Sequence, residues 1–239
     1  FYSVRRLQKS RSDIFRPGFS FSSIRLRFRE LVPLSLPLTA NRVLLGLLQG
    51  IEAVSIPGCL KLYNHSTSEA LSTYGVLTGM ALPCILFPSA ITNSVSIMLM
   101  PTVAELQVKD QTSGIRKLLQ KVLGSCFLMG LFCCLFFLFF GQLIGQFLFA
   151  SDLAGNFIIT LAWICPFLYV NGSLLSVLNG FGKTTTSFTI NTVGLAIRIG
   201  SVFFAIPVFG IQGYLWGLLI SQLAVSICCS VVLKHLISA

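Results

Sequence analysis

The stretch PLTANRVLLGLLQGIEAV, residues 37–54, has the length and apolar content of a membrane span, yet it carries Arg42 near its middle and Glu52 towards its end. An arginine at the centre of a transmembrane helix costs about 2.5–3.5 kcal/mol on insertion scales, so it faces protein or water rather than lipid. What it faces decides how the other helices must be arranged. Ser35, Thr39, Arg42 and Gln49 follow one another at spacings of three, four and seven, which places them on one face of one helix. Glu52 lies about 80° further round at 100° per residue and widens the polar stripe towards the outer leaflet.

The rest of the 239 residues puts this helix in a membrane. The chain is 54% hydrophobic and only 10% charged, with a mean hydropathy of +0.85, far from the roughly 25% charged residues of soluble domains. Its apolar runs match the roughly 20 residues that cross a bilayer as a helix, and they lack the alternation of barrel strands. The formal charge of +10 does not indicate a nucleic-acid partner, because eight of the seventeen basic residues, Arg5 to Arg29, form one arm ahead of the first span. Such a cluster meets anionic lipid headgroups. Cys84, Cys126, Cys133, Cys134, Cys165, Cys228 and Cys229 fall inside apolar segments without metal-ligand spacing, so they are expected as buried, inert thiols, with Cys59 near a loop.

The hydropathy pattern predicts an all-α membrane protein with a basic cytoplasmic linker over 1–30 and a six-helix region over 31–239. The expected spans are 31–57, 75–103, 118–149, 157–179, 186–207 and 212–234. Six spans return both termini to one side. With the arm cytoplasmic, Lys109, Arg116, Lys117, Lys121, Lys183 and Lys234 join it, and the opposite side holds only Lys61, as the positive-inside rule requires. Pro33, Pro37, Pro83, Pro88 and Pro166 predict broken helices. Gly46 and Gly50, Gly75 and Gly79, Gly141 and Gly145, and Gly213 and Gly217 have the spacing of close helix contacts. The third span, almost wholly Phe, Leu and Cys between Cys126 and Phe140, is expected to face lipid.

Polar stripes recur on the other spans. Ser187, Asn191, Gly194, Arg198 and Ser201 follow one helical face, with Arg198 near mid-membrane. Ser89, Thr92, Asn93 and Ser96 mark the second span, and Asn171, Ser173 and Ser176 the fourth. The expectation is a water-accessible cavity with positive character from Arg42 and Arg198, lined also by Gln49, Asn93 and Asn191, that takes an anion. Arginine suits phosphate because its planar fork donates paired hydrogen bonds and stays charged. The alternative is structural: one arginine pairs with Glu52 and the other with helix-end carbonyls.

Enzymatic machinery is not legible. NGFGKTTTSF ends like a phosphate loop, but Val177 stands where the first glycine belongs and no strand leads into it. Asn64, His65 and Ser66 match a glycosylation acceptor, a pattern common by chance. The carboxylates Glu52, Glu69, Glu105, Asp110 and Asp152 form no acid and base pair, His65 and His235 sit at span ends, and no cofactor or metal is implied.

Four segments carry a family resemblance: LPLTANRVLLGLLQGIEAVSIP, YGVLTGMALPCILFPSAITNSVSIMLMPTVAEL, LAWICPFLYVNGSLLSVLNGFGKTTTSF and IPVFGIQGYLWGLLISQL. From about residue 31 to the end the chain resembles the stage V sporulation protein B and polysaccharide-biosynthesis family of the multidrug, oligosaccharidyl-lipid and polysaccharide flippase superfamily. The resemblance implies the second lobe of a MATE-like two-lobe transporter in the cytoplasmic membrane. Such a transporter moves lipid-linked cell-wall or polysaccharide precursors by alternating access. It also implies a first lobe as partner, and the start at Phe1 fits a fragment of something longer. Two further readings remain open: a cation-coupled drug or metabolite antiporter, with Glu52 as the coupling-ion ligand, and a membrane-embedded transferase acting on lipid-linked sugars.

Overall fold

A helix closes its backbone hydrogen bonds within itself, which is what a chain in hydrocarbon requires. The structure, a computed structural model, describes residues 43–63, 66–108 and 112–238, and no strand occurs among them. Helix α1 is Val43–Tyr63. Next, α2 (Thr67–Val76) runs through a π turn (Leu77–Ala81) into α3 (Leu82–Leu86), and α4 (Ser89–Val108) follows. The chain continues as α5 (Thr112–Phe149), α6 (Asp152–Ala162), α7 (Cys165–Gly180), α8 (Thr184–Phe204), the single turn α9 (Ile206–Phe209) and α10 (Ile211–Ser238). Five of these segments are long and apolar enough to cross a membrane, and the α6–α7 pair, bent by 55°, makes a sixth. The chain is thus an all-α, multi-pass membrane protein. Gly46–Ala239 forms one compact unit, and of the preceding unit only the first residues of α1 are described.

The spans come in the predicted order, but the helices reach further than the apolar runs. Residues 67–73, 104–108 and 152–156, expected in connections, are helical. Hydropathy drops before a helix ends, because polar residues extend it beyond the hydrocarbon. The 38 residues of α5 rise about 57 Å, nearly twice the roughly 30 Å apolar core of a bilayer. Serine oxygens then set the new starts: Ser66 caps α2 through Glu69 N, and Ser151 caps α6 through Ala154 N.

Prolines divide two spans at matching places. Pro88 lacks the N–H that would continue the ladder, so the helix breaks at Phe87–Pro88. Pro166 stands in the first turn of α7, just past the α6–α7 bend. The halves pair off: the π turn and α3 pack against α6, and α4 packs against α7. Tyr169, fully buried, donates 2.9 Å to the carbonyl of Ile85, and Ser89 Oγ donates 2.6 Å to that of Leu86, so carbonyls freed by the break regain donors. Pro33 and Pro37 lie outside the described residues.

Of the four glycine pairs, two make the contacts their spacing promised. A Cβ at Gly145 would fall on the backbone of Gly155, and one at Gly217 on Ser201, which allows α5 to approach α6 and α10 to approach α8. Gly46, Gly50, Gly75 and Gly79 meet nothing within 4 Å. The third span corrects its expectation: α5 packs along both α6 and α7, and only one of its faces is open. Cys126, Gly130, Cys133, Phe137, Gly141 and Gly145, spaced by three or four, form the packed face, which uniform hydropathy concealed. All eight cysteines are free thiols; Cys59 is buried within α1 and Cys228 faces outward.

Removing the Tyr169 hydroxyl leaves the Ile85 carbonyl without a partner at the break. Tyr169→Phe is expected to lower stability by about 1–3 kcal/mol, read as a lower thermal midpoint of the purified protein, whereas Ser94→Ala, on the exposed face of α4, leaves it unchanged.

Candidate functional site

Glu52 is 4% exposed in the interior of α1. A carboxylate there requires a partner, because an isolated charge in a low-dielectric interior carries a desolvation penalty of several kcal/mol. Arg198 of α8 supplies it with both arms of its fork: Nε donates 2.9 Å to Oε1 and Nη2 donates 2.7 Å to Oε2. Tyr214, at the start of α10, donates its hydroxyl to Oε1 at 2.9 Å and sits 3.5 Å from Nη2. Three helices therefore meet at one bidentate ion pair. The Arg198 side chain stays 25% exposed, while Glu52 is enclosed.

Each sequence-predicted site residue has a definite place or lies outside the described residues. Arg42, Ser35 and Thr39 are outside them. Gln49 is exposed, one turn from Glu52 on α1, and Asn191 is half-buried two turns before Arg198 on α8. Asn93 is exposed on α4, where its Oδ1 faces Gly172 of α7. Among the described residues, no hydrogen bond joins Gln49, Asn93 or Asn191 to the Glu52 cluster. The pairing of Arg198 with Glu52 is the arrangement named in the structural alternative for one of the two arginines.

The other predicted stripes turn inward. Ser96 Oγ and Ser173 Oγ lie 3.0 Å apart, and Cys126 Sγ is 3.3 Å from Ser173 Oγ, which links α4, α5 and α7. Asn171 Nδ2 donates to the Gln222 carbonyl at 3.0 Å and to its Oε1 at 2.7 Å, and Ser221 Oγ donates 2.7 Å to the Gly194 carbonyl. Tyr214, Ser221, Gln222 and Cys126 were missed from sequence. The signal for α10 was present: Tyr214 and Ser221, seven apart, share a face of the last helix. No group of three or more His, Cys, Asp or Glu placed to hold a metal occurs among the described residues.

Two sporulation proteins are relatives of this chain. It is 26% identical over 188 residues to stage V sporulation protein B of Bacillus subtilis (strain 168), covering 78% of this chain and 36% of that protein. It is 26% identical over 93 residues to sporulation protein YkvU of the same strain, covering 39% of this chain and 21% of that protein. The chain thus spans about a third of the length of the first relative and a fifth of the second. No family model matches it, and no solved structure matches it.

Removing one member of a buried pair leaves an uncompensated charge, whereas replacing both by apolar groups does not. Glu52→Leu is expected to lose about 3 kcal/mol of stability, and the double variant Glu52→Leu with Arg198→Leu is expected to recover most of it. Thermal unfolding of the wild type, Glu52→Leu, Arg198→Leu and the double variant measures the coupling; simple addition of the two single losses would contradict the pairing.

Proposed function

We propose that this chain is the second lobe of a membrane transporter that carries a lipid-linked polysaccharide or cell-wall precursor across the cytoplasmic membrane. In this proposal residues 1–30 form a cytoplasmic linker that meets anionic lipids, residues 31–239 form the lobe, and both termini are cytoplasmic. A first lobe completes the cleft. The observation that carries the proposal is a guanidinium kept charged inside the span region by Glu52 and Tyr214, with part of its surface open. Ionisable groups in spans mark substrate or ion pathways.

The chemistry follows from the fork. Glu52 takes Nε and Nη2, which leaves Nη1 as the edge for a phosphate oxygen of the guest. Gln49 and Asn191 supply neutral hydrogen bonds for a headgroup, while the lipid tail stays in the hydrocarbon. Asn93 lines the cleft from α4. Similarity to stage V sporulation protein B supports a membrane role in sporulation or wall synthesis.

A buried mid-span carboxylate is also what a cation-coupled antiporter needs. Three donated hydrogen bonds on Glu52 speak against that reading, because an ion would have to compete with a guanidinium for the same oxygens.

Arg42→Ala and Asn191→Ala leave the ion pair in place and so separate recognition from folding. In the complete transporter purified from its own membrane, native mass spectrometry should find a polyprenyl-phosphate-linked saccharide on the wild type and lose it in these variants. Equal retention would remove these residues from the site. Cation-dependent transport abolished by Glu52→Gln, with Arg42→Ala harmless, would transfer the assignment to the antiporter.

A further inference from the structure

Where the Phe87–Pro88 break turns the second span, it leaves a groove of about 570 Å³ against α5. Pro83, Cys84 and Phe87 line one wall, and Phe132, Phe136 and Phe149 the other; no charged or amide side chain contributes. Such a wall offers nothing to a sugar, a phosphate or a polar drug, since each would surrender hydrogen bonds to water and gain none. The groove is open at its lining residues Phe87 and Phe132, which are 83% and 70% exposed. It is continuous with the apolar surface that this membrane protein turns towards lipid.

Size decides what fits. From Phe132 to Phe149 the groove follows α5 for about 25 Å at 1.5 Å per residue. A helix of that length, with side chains, would fill roughly 2,000–2,800 Å³ and is far too large. An extended hydrocarbon chain, about 4–5 Å across by carbon contact distances, would fill roughly 300–500 Å³ over the same length. One end of the groove lies at the level where α5 becomes polar: Gln142 and Gln146 both donate to Asp152 Oδ1, at 3.3 and 2.8 Å, around the α5–α6 turn. That is the level for a headgroup.

We infer that the groove is a binding site for one acyl chain of a bilayer phospholipid, lodged beneath the Pro88 break with its headgroup at the level of the α5–α6 turn. The site is separate from the Glu52 cluster and does not rest on the proposed transport activity. An apolar cleft left empty forfeits dispersion contacts along its whole lining, and a single chain restores them.

Photolabelling of the full chain tests the inference in vesicles of phosphatidylethanolamine and phosphatidylglycerol, with a diazirine on the acyl chain of the latter. Label is expected at Cys133 and Phe137, lining residues that are otherwise enclosed, several-fold above that at the exposed Phe139 and Phe147. Cys84→Trp, which fills the groove, should abolish the excess while the label at Phe139 and Phe147 persists and reports insertion. If that variant fails to insert, Phe87→Ala, at a side chain 83% exposed, should lower the excess instead. Even labelling of all four positions, or an excess untouched by the variant that inserts, overturns the site. Chasing of the label by a polyprenyl-phosphate saccharide but not by unlabelled phosphatidylglycerol overturns the phospholipid assignment.

Discussion

A carboxylate and a guanidinium inside the span region offset each other's desolvation penalty, and α1, α8 and α10 meet at that pair. Glu52 is enclosed, so its two oxygens need fixed donors; Arg198 offers a rigid fork and Tyr214 a hydroxyl. A lysine at 198 would provide charge without the paired geometry. Because the three groups come from three helices, their geometry fixes the rotation of each about its own axis. Apolar packing alone determines that rotation weakly, since lipid is as apolar as leucine.

The same logic extends across the described helices on a smaller scale. Ser221 ties α10 to α8, Asn171 and Gln222 tie α7 to α10, and Ser173 ties α7 to α4 and α5. Every described span thus joins a neighbour through at least one polar contact, including α3, whose Ile85 carbonyl is met by Tyr169. Glycines bring the backbones close enough for such short side chains to reach: Gly194 lies against Ser221 and Val225, and Gly172 against Asn93 and Ser96. The polar stripes of the sequence therefore serve two ends. Ser96 and Ser173 face inward and link two helices, whereas Gln49 is exposed on α1.

The helical nature of the chain and its five to six segments of membrane-crossing length were legible because hydropathy and length constrain them directly. Helix ends were not, since residues such as those at 67–73, TSEALST, are largely polar yet still helical. The face of α5 was hidden by its uniform apolarity, and only the spacing of its small residues and cysteines distinguished the packed side. For the site, periodicity placed Glu52 and Arg198 on polar faces but carried no information on which helix stood opposite which. The decisive partner, Tyr214, looked like one more aromatic residue at a span end. Glu52 and Arg198 are 146 positions apart, and no local pattern links residues at that distance.

The most direct test is a charge exchange. Glu52→Arg and Arg198→Glu should each destabilise the protein severely, because each places like charges face to face in a buried site, while the combined variant restores opposite charges to the same three helices. The thermal midpoint of the combined variant is expected to rise well above that of either single variant and to approach the wild type. A combined variant as unstable as the sum of the two single changes would show that Glu52 and Arg198 do not depend on each other, and the account of this fold would fail.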